Sequence, residues 1–282
     1  MDAAAALFIA GASAASSLLL ARASARAAEA PLHVSSLHVY PVKGLRGHSV
    51  ARAPLDGRGL MWDRRWMLLR GGEARYFTTQ RQLPAMATVA ATVLLPPSHA
   101  ALAVPPAAVV DARVEVPSLL LEATAGPYVG RSLVVPLVTL PAEGGGSGSG
   151  GEGGGAPRCC GGGAPIATGA RVLPPLAVWG STVDGAVDQG DAAGAWLTAA
   201  LVPEGEAAET LRLVYFQPRV SQRLVEGGFV PAHAPPLANG VAFADGFPLL
   251  LASTRSLGEG ADEHAGEARA PLGRGLRSDP LG

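Results

Sequence analysis

Arg65-Trp66-Met67-Leu68-Leu69-Arg70-Gly71-Gly72-Glu73-Ala74-Arg75-Tyr76-Phe77-Thr78-Thr79 is the stretch whose reading decides the fold. An apolar run from Arg65 to Leu69 and a second stretch from Ala74 to Thr79 flank Gly71-Gly72. Paired glycines supply the positive φ values of a tight turn, so the string reads as a β-hairpin. Upstream, Leu37 and Val39 alternate with His38 and Tyr40 until Pro41 interrupts the strand pattern. Asp56-Gly57-Arg58-Gly59 is turn chemistry. Downstream, the apolar stretches Ala87 to Leu95 and Val129 to Leu140 are punctuated by prolines. Many short strands with Pro and Gly between them argue a barrel or sandwich over residues 31–140.

Residues 142–165 differ in kind: almost every position is Gly, Ser or Ala, and nothing there repays the entropy of ordering. We expect a disordered insertion. Its Gly-x-Gly-x-x-Gly match at Gly146, Gly148 and Gly151 follows no strand-to-helix transition and is a chance product of a glycine run. Order resumes at Leu176. Val178-Trp179 and Val183 suit a short strand, and Asp188 to Gly190 closes it. Asp191 is a reasonable N-cap for a helix whose stripe is Ala193, Trp196, Leu197, Ala200 and Leu201, stopped by Pro203. Leu211 to Phe216 reads as a buried strand, and Phe247 to Ala252 as another compact apolar strand after Ala244-Asp245-Gly246. Trp66, Trp179 and Trp196 read as core. From Gly258 the apolar pattern collapses, and residues 258–282 are expected to be an unfolded tail. The class expected is α+β, mainly β, with a few helices and a hydrophobic helix at the N-terminus.

Residues 3–21 carry no charge. As a helix at ~1.5 Å per residue they would reach about 28 Å, marginally enough to span a bilayer. Residues 1–30 therefore read as a targeting segment: a membrane anchor followed by Arg22 and Arg26, a secretory signal, or a transit peptide. The formal charge of −1 gives no general pull toward nucleic acid. Hydrophobic residues make up 48% of the chain but aromatics only 5%, so Ala, Val and Leu must fill most of the core. The two cysteines, Cys159 and Cys160, are adjacent, which excludes a disulfide framework and a four-cysteine zinc site. The histidines show no His-Glu-x-x-His spacing, and there is neither a nucleophile-elbow serine nor a phosphate-loop Lys-Ser or Lys-Thr. No residue is expected to be catalytic or to ligate a metal.

Three strings carry more information. Val39-Tyr40-Pro41-Val42-Lys43-Gly44-Leu45-Arg46-Gly47 is a strand ending in a proline bend that presents a lysine. Trp62-Asp63-Arg64-Arg65-Trp66 holds charges between tryptophans, and Val241 to Leu249 sets Asp245 at a turn against a buried run. With Thr79-Gln80-Arg81, Trp179 to Leu197 and Arg212-Leu213-Val214, their order resembles MOSC proteins with the N-terminal β-barrel domain, over roughly residues 35–257. The mitochondrial amidoxime-reducing components are the best-known eukaryotic branch of that family.

The resemblance implies a molybdopterin-type molybdenum cofactor. Lys43 and Arg64 match cofactor contacts of that branch, Gly44 stands where it often has a serine, and Asp245 matches a carboxylate position facing the pterin. The chemistry suits those residue types: a lysine is a point charge for phosphate, an arginine a bidentate fork, and a carboxylate accepts from pterin N–H groups. Each also has a plainer reading, Lys43 as a solvated loop residue, Arg64 as the partner of Asp63, and Asp245 as a turn former. The amidoxime-reducing branch further implies reduction of N-hydroxylated compounds, electrons from cytochrome b5 and its reductase, and anchorage through residues 3–21 at the mitochondrial outer membrane.

The alternatives are a membrane-tethered binding module without turnover, and the sulfur-carrier type of the cofactor sulfurases. In the latter a MOSC region is joined to a pyridoxal-phosphate desulfurase. Family members continue into Phe-Arg-Pro-Asn and a MOSC core with a metal-binding cysteine, which residues 258–282 do not match. We therefore expect an incomplete family member, inactive as this chain.

Overall fold

A computed structural model of the chain describes residues 33–71, 76–139, 169–203, 210–218, 220–225 and 240–257. The expected N-terminal helix, glycine-rich insertion and C-terminal tail lie outside the described residues. The chain divides into Met1–Ser35 and Ser36–Gly282, and the account below concerns the second unit. Among the described residues no helix is long and apolar enough to cross a membrane.

β1 (Leu37–Val39) and β2 (His48–Val50) pair antiparallel, and β3 (Leu55–Asp56) and β4 (Gly59–Leu60) form a hairpin around Gly57-Arg58. β5 (Trp66–Arg70) pairs antiparallel with β6 (Tyr76–Phe77), as the opening string predicts. β7 (Val89–Leu95), β8 (Ala108–Val110), β9 (Ser118–Ala123) and β10 (Ser132–Pro136) make a four-stranded sheet in the order β10-β9-β7-β8. β11 (Arg171–Val172), β12 (Leu176–Val178), β13 (Ser181–Val183) and β14 (Val187–Asp188) follow, then α1 (Asp191–Leu201) and β15 (Leu211–Tyr215). A five-stranded sheet runs β11-β14-β15-β5-β6, while β12 and β13 form their own ribbon. The described residues are mostly β with few helices, the α+β class expected.

Both faces of β5 are buried. Trp66 and Leu68 enter one apolar cluster with Leu121, Leu197 and Leu213, while Met67 and Leu69 enter a second with Val178, Val214, Phe216 and Phe243. A strand buried on both faces has no polar alternation, so β5 and β15 appear in sequence as continuous apolar runs. Pro41 to Arg46 stitches the two sheets together. Val42 bridges to Trp66 of β5 and Arg46 to Ala90 of β7, with the amides of Lys43 and Arg46 donating to the carbonyls of Trp66 (2.8 Å) and Val89 (2.9 Å).

Two expectations are corrected. Asp191 is the first helical residue and not the N-cap: Gly190, at φ 100°, occupies the cap, and the Asp191 carboxylate accepts from Arg212 Nη1 at 2.7 Å. A left-handed cap position suits glycine, and a carboxylate in the first turn still favours the helix dipole. Phe247 to Ala252 is neither strand nor core. Pro248 has no N–H to give a ladder, and Leu250 and Leu251 are 84% and 92% exposed.

Candidate functional site

The lysine string and the Asp-Arg string lock side by side. Asp63 Oδ1 accepts from the Tyr40 amide at 2.8 Å, the Arg64 amide donates to the Tyr40 carbonyl at 2.7 Å, and the Trp66 amide donates to the Pro41 carbonyl at 3.0 Å. Trp62 and Arg64 take φ values of 68° and 49°, a left-handed turn immediately before β5. Arg64 forms an ion pair with buried Asp63, so its plainer reading holds alongside its place in the site. Gly44 sits at φ 80°, where a Cβ would lie 2.5 Å from Met86 Cε; a serine here would need Met86 to move.

Asp245 follows the buried run Val241 to Ala244, whose Phe243 amide donates to the Arg64 carbonyl at 3.1 Å. Its carboxylate forms an ion pair with buried Lys43 and accepts from the Trp179 indole N–H at 2.6 Å. Trp179 is therefore not core; it is 55% exposed. Val178 and Ser181 pair across a two-residue loop, Trp179-Gly180, in which both residues take positive φ (49° and 87°), as the type I′ hairpin requires. That tip carries the indole out to the carboxylate, and Phe77 meets its ring edge-on at 5.0 Å. Trp66 is buried core as expected, and Trp196 is half-buried against Tyr128.

Arg223 holds the two loops together. Its buried guanidinium donates to Ser181 Oγ (2.7 Å) in the hairpin and to the carbonyls of Ala242 (2.9 Å), Ala244 and Asp245 (2.8 Å). One side chain thus fixes both Asp245 and the hairpin from which Trp179 reaches it.

All four residues expected to contact a cofactor line one cleft of about 420 Å³: Lys43, Gly44, Arg64 and Asp245. Tyr40, Thr78, Arg81, Trp179 and Leu250 are among the other residues of its wall. Burial lowers the pKa of Lys43, against the pull of Asp245. Partial burial pushes Asp245 upward, but hydrogen bonds from Lys43 and Trp179 and the charges of Lys43 and Arg64 hold it below the usual carboxylate range. Three cations against one lining carboxylate leave the wall positive, and a positive, partly desolvated cleft suits an anion. Arg81 belongs to a string already legible in the sequence, and the Trp-Gly pair was a readable turn signal. For Arg223 the sequence held no signal. Among the described residues no group of three or more His, Cys, Asp or Glu side chains converges as metal ligands would, and both cysteines lie outside them.

Residues 32–123 match the MOSC N-terminal beta barrel domain. Lys43, Gly44, Arg64, Thr78 and Arg81 lie inside that match, and Trp179, Arg223 and Asp245 beyond it. The molybdenum cofactor sulfurase of Oryza sativa subsp. japonica is 39% identical over 74 residues, 26% of this chain and 9% of that protein. The matched stretch thus spans less than a tenth of the curated relative. No solved structure matches the chain.

Proposed function

We propose that this MOSC N-terminal barrel domain and the loops packed on it hold the phosphate-bearing end of a molybdopterin-type molybdenum cofactor. The observation that carries the proposal is the meeting of Lys43, Arg64 and Arg81 in one cleft whose single lining carboxylate, among the described residues, is Asp245. Lys43 and the arginine forks neutralise phosphate oxygens, and Asp245 accepts from pterin N–H groups. The cofactor, when bound, supplies the redox or group-transfer chemistry; these residues bind and orient it. No catalytic step is assigned to them.

Two family roles remain. The name of the rice relative favours the sulfurase type over the amidoxime-reducing type, and cytochrome b5 partnership and anchorage through residues 3–21 belong to the latter. Calorimetric titration of the full chain with inorganic phosphate, against chloride at equal ionic strength, tests the binding reading. Phosphate is expected to bind more tightly, and Lys43→Met and Arg64→Gln each to weaken it by roughly ten-fold, the worth of one charge-assisted hydrogen bond. Equal affinity for the two anions, or variants indistinguishable from the parent, would reject it.

A further inference from the structure

We infer that the Thr78 hydroxyl is a ligand-reading donor, which selects a tetrahedral oxyanion over a monatomic one in the Lys43–Arg64 cleft. The inference rests on the anion-binding reading above and adds a residue to it. Thr78 follows β6, and its amide donates to the Leu68 carbonyl at 3.0 Å, so its backbone is fixed without help from the side chain. It exposes no surface, and among the described residues its Oγ1 has no hydrogen-bond partner. The hydroxyls of Thr88, Thr92, Thr124 and Thr198 each find one in the protein. An unbonded hydroxyl sealed in the interior lowers stability, and valine would fill the same volume without that cost.

Thr78 nevertheless forms part of the cleft wall with Lys43 and Arg64. Lys43 now faces Asp245. An anion that competes with this carboxylate turns the ammonium toward itself and opens the wall beside it. A phosphate then offers one oxygen to Lys43 and another to Thr78. Chloride has no second atom to offer, so the hydroxyl adds affinity for the oxyanion alone.

Thr78→Val and Thr78→Ser in the full chain test this, with unfolding temperature and calorimetric affinities for inorganic phosphate and chloride as readouts. Thr78→Val is expected to raise the unfolding temperature by roughly a few degrees. It is also expected to weaken phosphate about ten-fold or more, leaving chloride within about two-fold. Thr78→Ser, which keeps the hydroxyl, is expected to restore phosphate affinity. A lower unfolding temperature in Thr78→Val that Thr78→Ser reverses would mean the hydroxyl already has a partner and would overturn the inference. Unchanged phosphate affinity, or equal loss for both anions, would overturn it too while leaving the cleft reading intact. A parent chain that does not distinguish phosphate from chloride removes the cleft reading, and the role of Thr78 falls with it.

Discussion

Lys43 and Asp245 are 202 positions apart, and their pairing sets the acid–base behaviour of the site. Asp245 titrates below its ordinary 3.8, so the stability it contributes is full above that value and is lost as pH falls through its depressed pKa. Lys43 is shifted below 10.5, mainly by burial, so its proton leaves earlier than from a free lysine as pH rises. Sulfate affinity, measured because sulfate does not itself titrate there, is expected to decline with rising pH before 10.5 is reached. Lys43→Met is expected to abolish that dependence. Asp245→Asn removes the competing charge and is expected to tighten sulfate several-fold; weaker binding would show that the carboxylate organises the cleft more than it opposes the anion. Lys43, Arg64 and Asp245 were singled out in sequence because the strings that hold them match cofactor-contact positions of the family the sequence resembles; a charge beside a turn or an apolar run would not by itself have marked them. Thr78 and Arg223 were not singled out, because what marks them is a missing or a multiple hydrogen bond, and neither leaves a trace in composition.

At the scale of elements, strands buried on both faces were the easiest to read, and boundaries set by a single contact the hardest. β5 and β15 followed from unbroken apolar runs, whereas the equally apolar Phe247 to Ala252 found no ladder among the described residues. Trp179 was misplaced because an aromatic residue between apolar neighbours reads as core unless the following glycine is recognised as the second half of a turn. In α1, Gly194 would place a Cβ 2.7 Å from the Leu211 carbonyl oxygen. Helix propensity favours alanine over glycine by about 1 kcal/mol, but this contact is with backbone that cannot give way. Gly194→Ala is therefore expected to destabilise the protein by roughly 1–2 kcal/mol in urea unfolding, as overpacking does. Arg223→Met leaves several buried carbonyls without their donor. A loss of about 3 kcal/mol is expected, with weakened anion binding as both loops loosen.

The four- and five-stranded sheets share one apolar cluster, and a single backbone segment also bridges them. That segment, Pro41 to Arg46, is the one that presents Lys43, so cleft and architecture share their backbone. The positions of the two sheets were not legible, because isolated bridges such as Val42 to Trp66 depend on register between distant strands. Leu249, Leu250 and Leu251 lie side by side in solvent. Contiguous exposed apolar surface promotes association. Leu250→Ser with Leu251→Ser is expected to reduce concentration-dependent self-association in sedimentation velocity while moving the unfolding temperature by no more than about 1 °C, since neither side chain is buried.

The left-handed tip of the β12–β13 hairpin has an optical consequence. Of the four tryptophans, Trp62 and Trp66 are buried and Trp196 is half-covered; Trp179 alone is more than half exposed, with its indole N–H on the carboxylate that Lys43 holds. Its emission should lie furthest to the red and yield first to acrylamide. Whatever draws Lys43 off Asp245 alters the field at that one indole, so the native chain carries its own fluorescent gauge of the cleft and needs no attached dye.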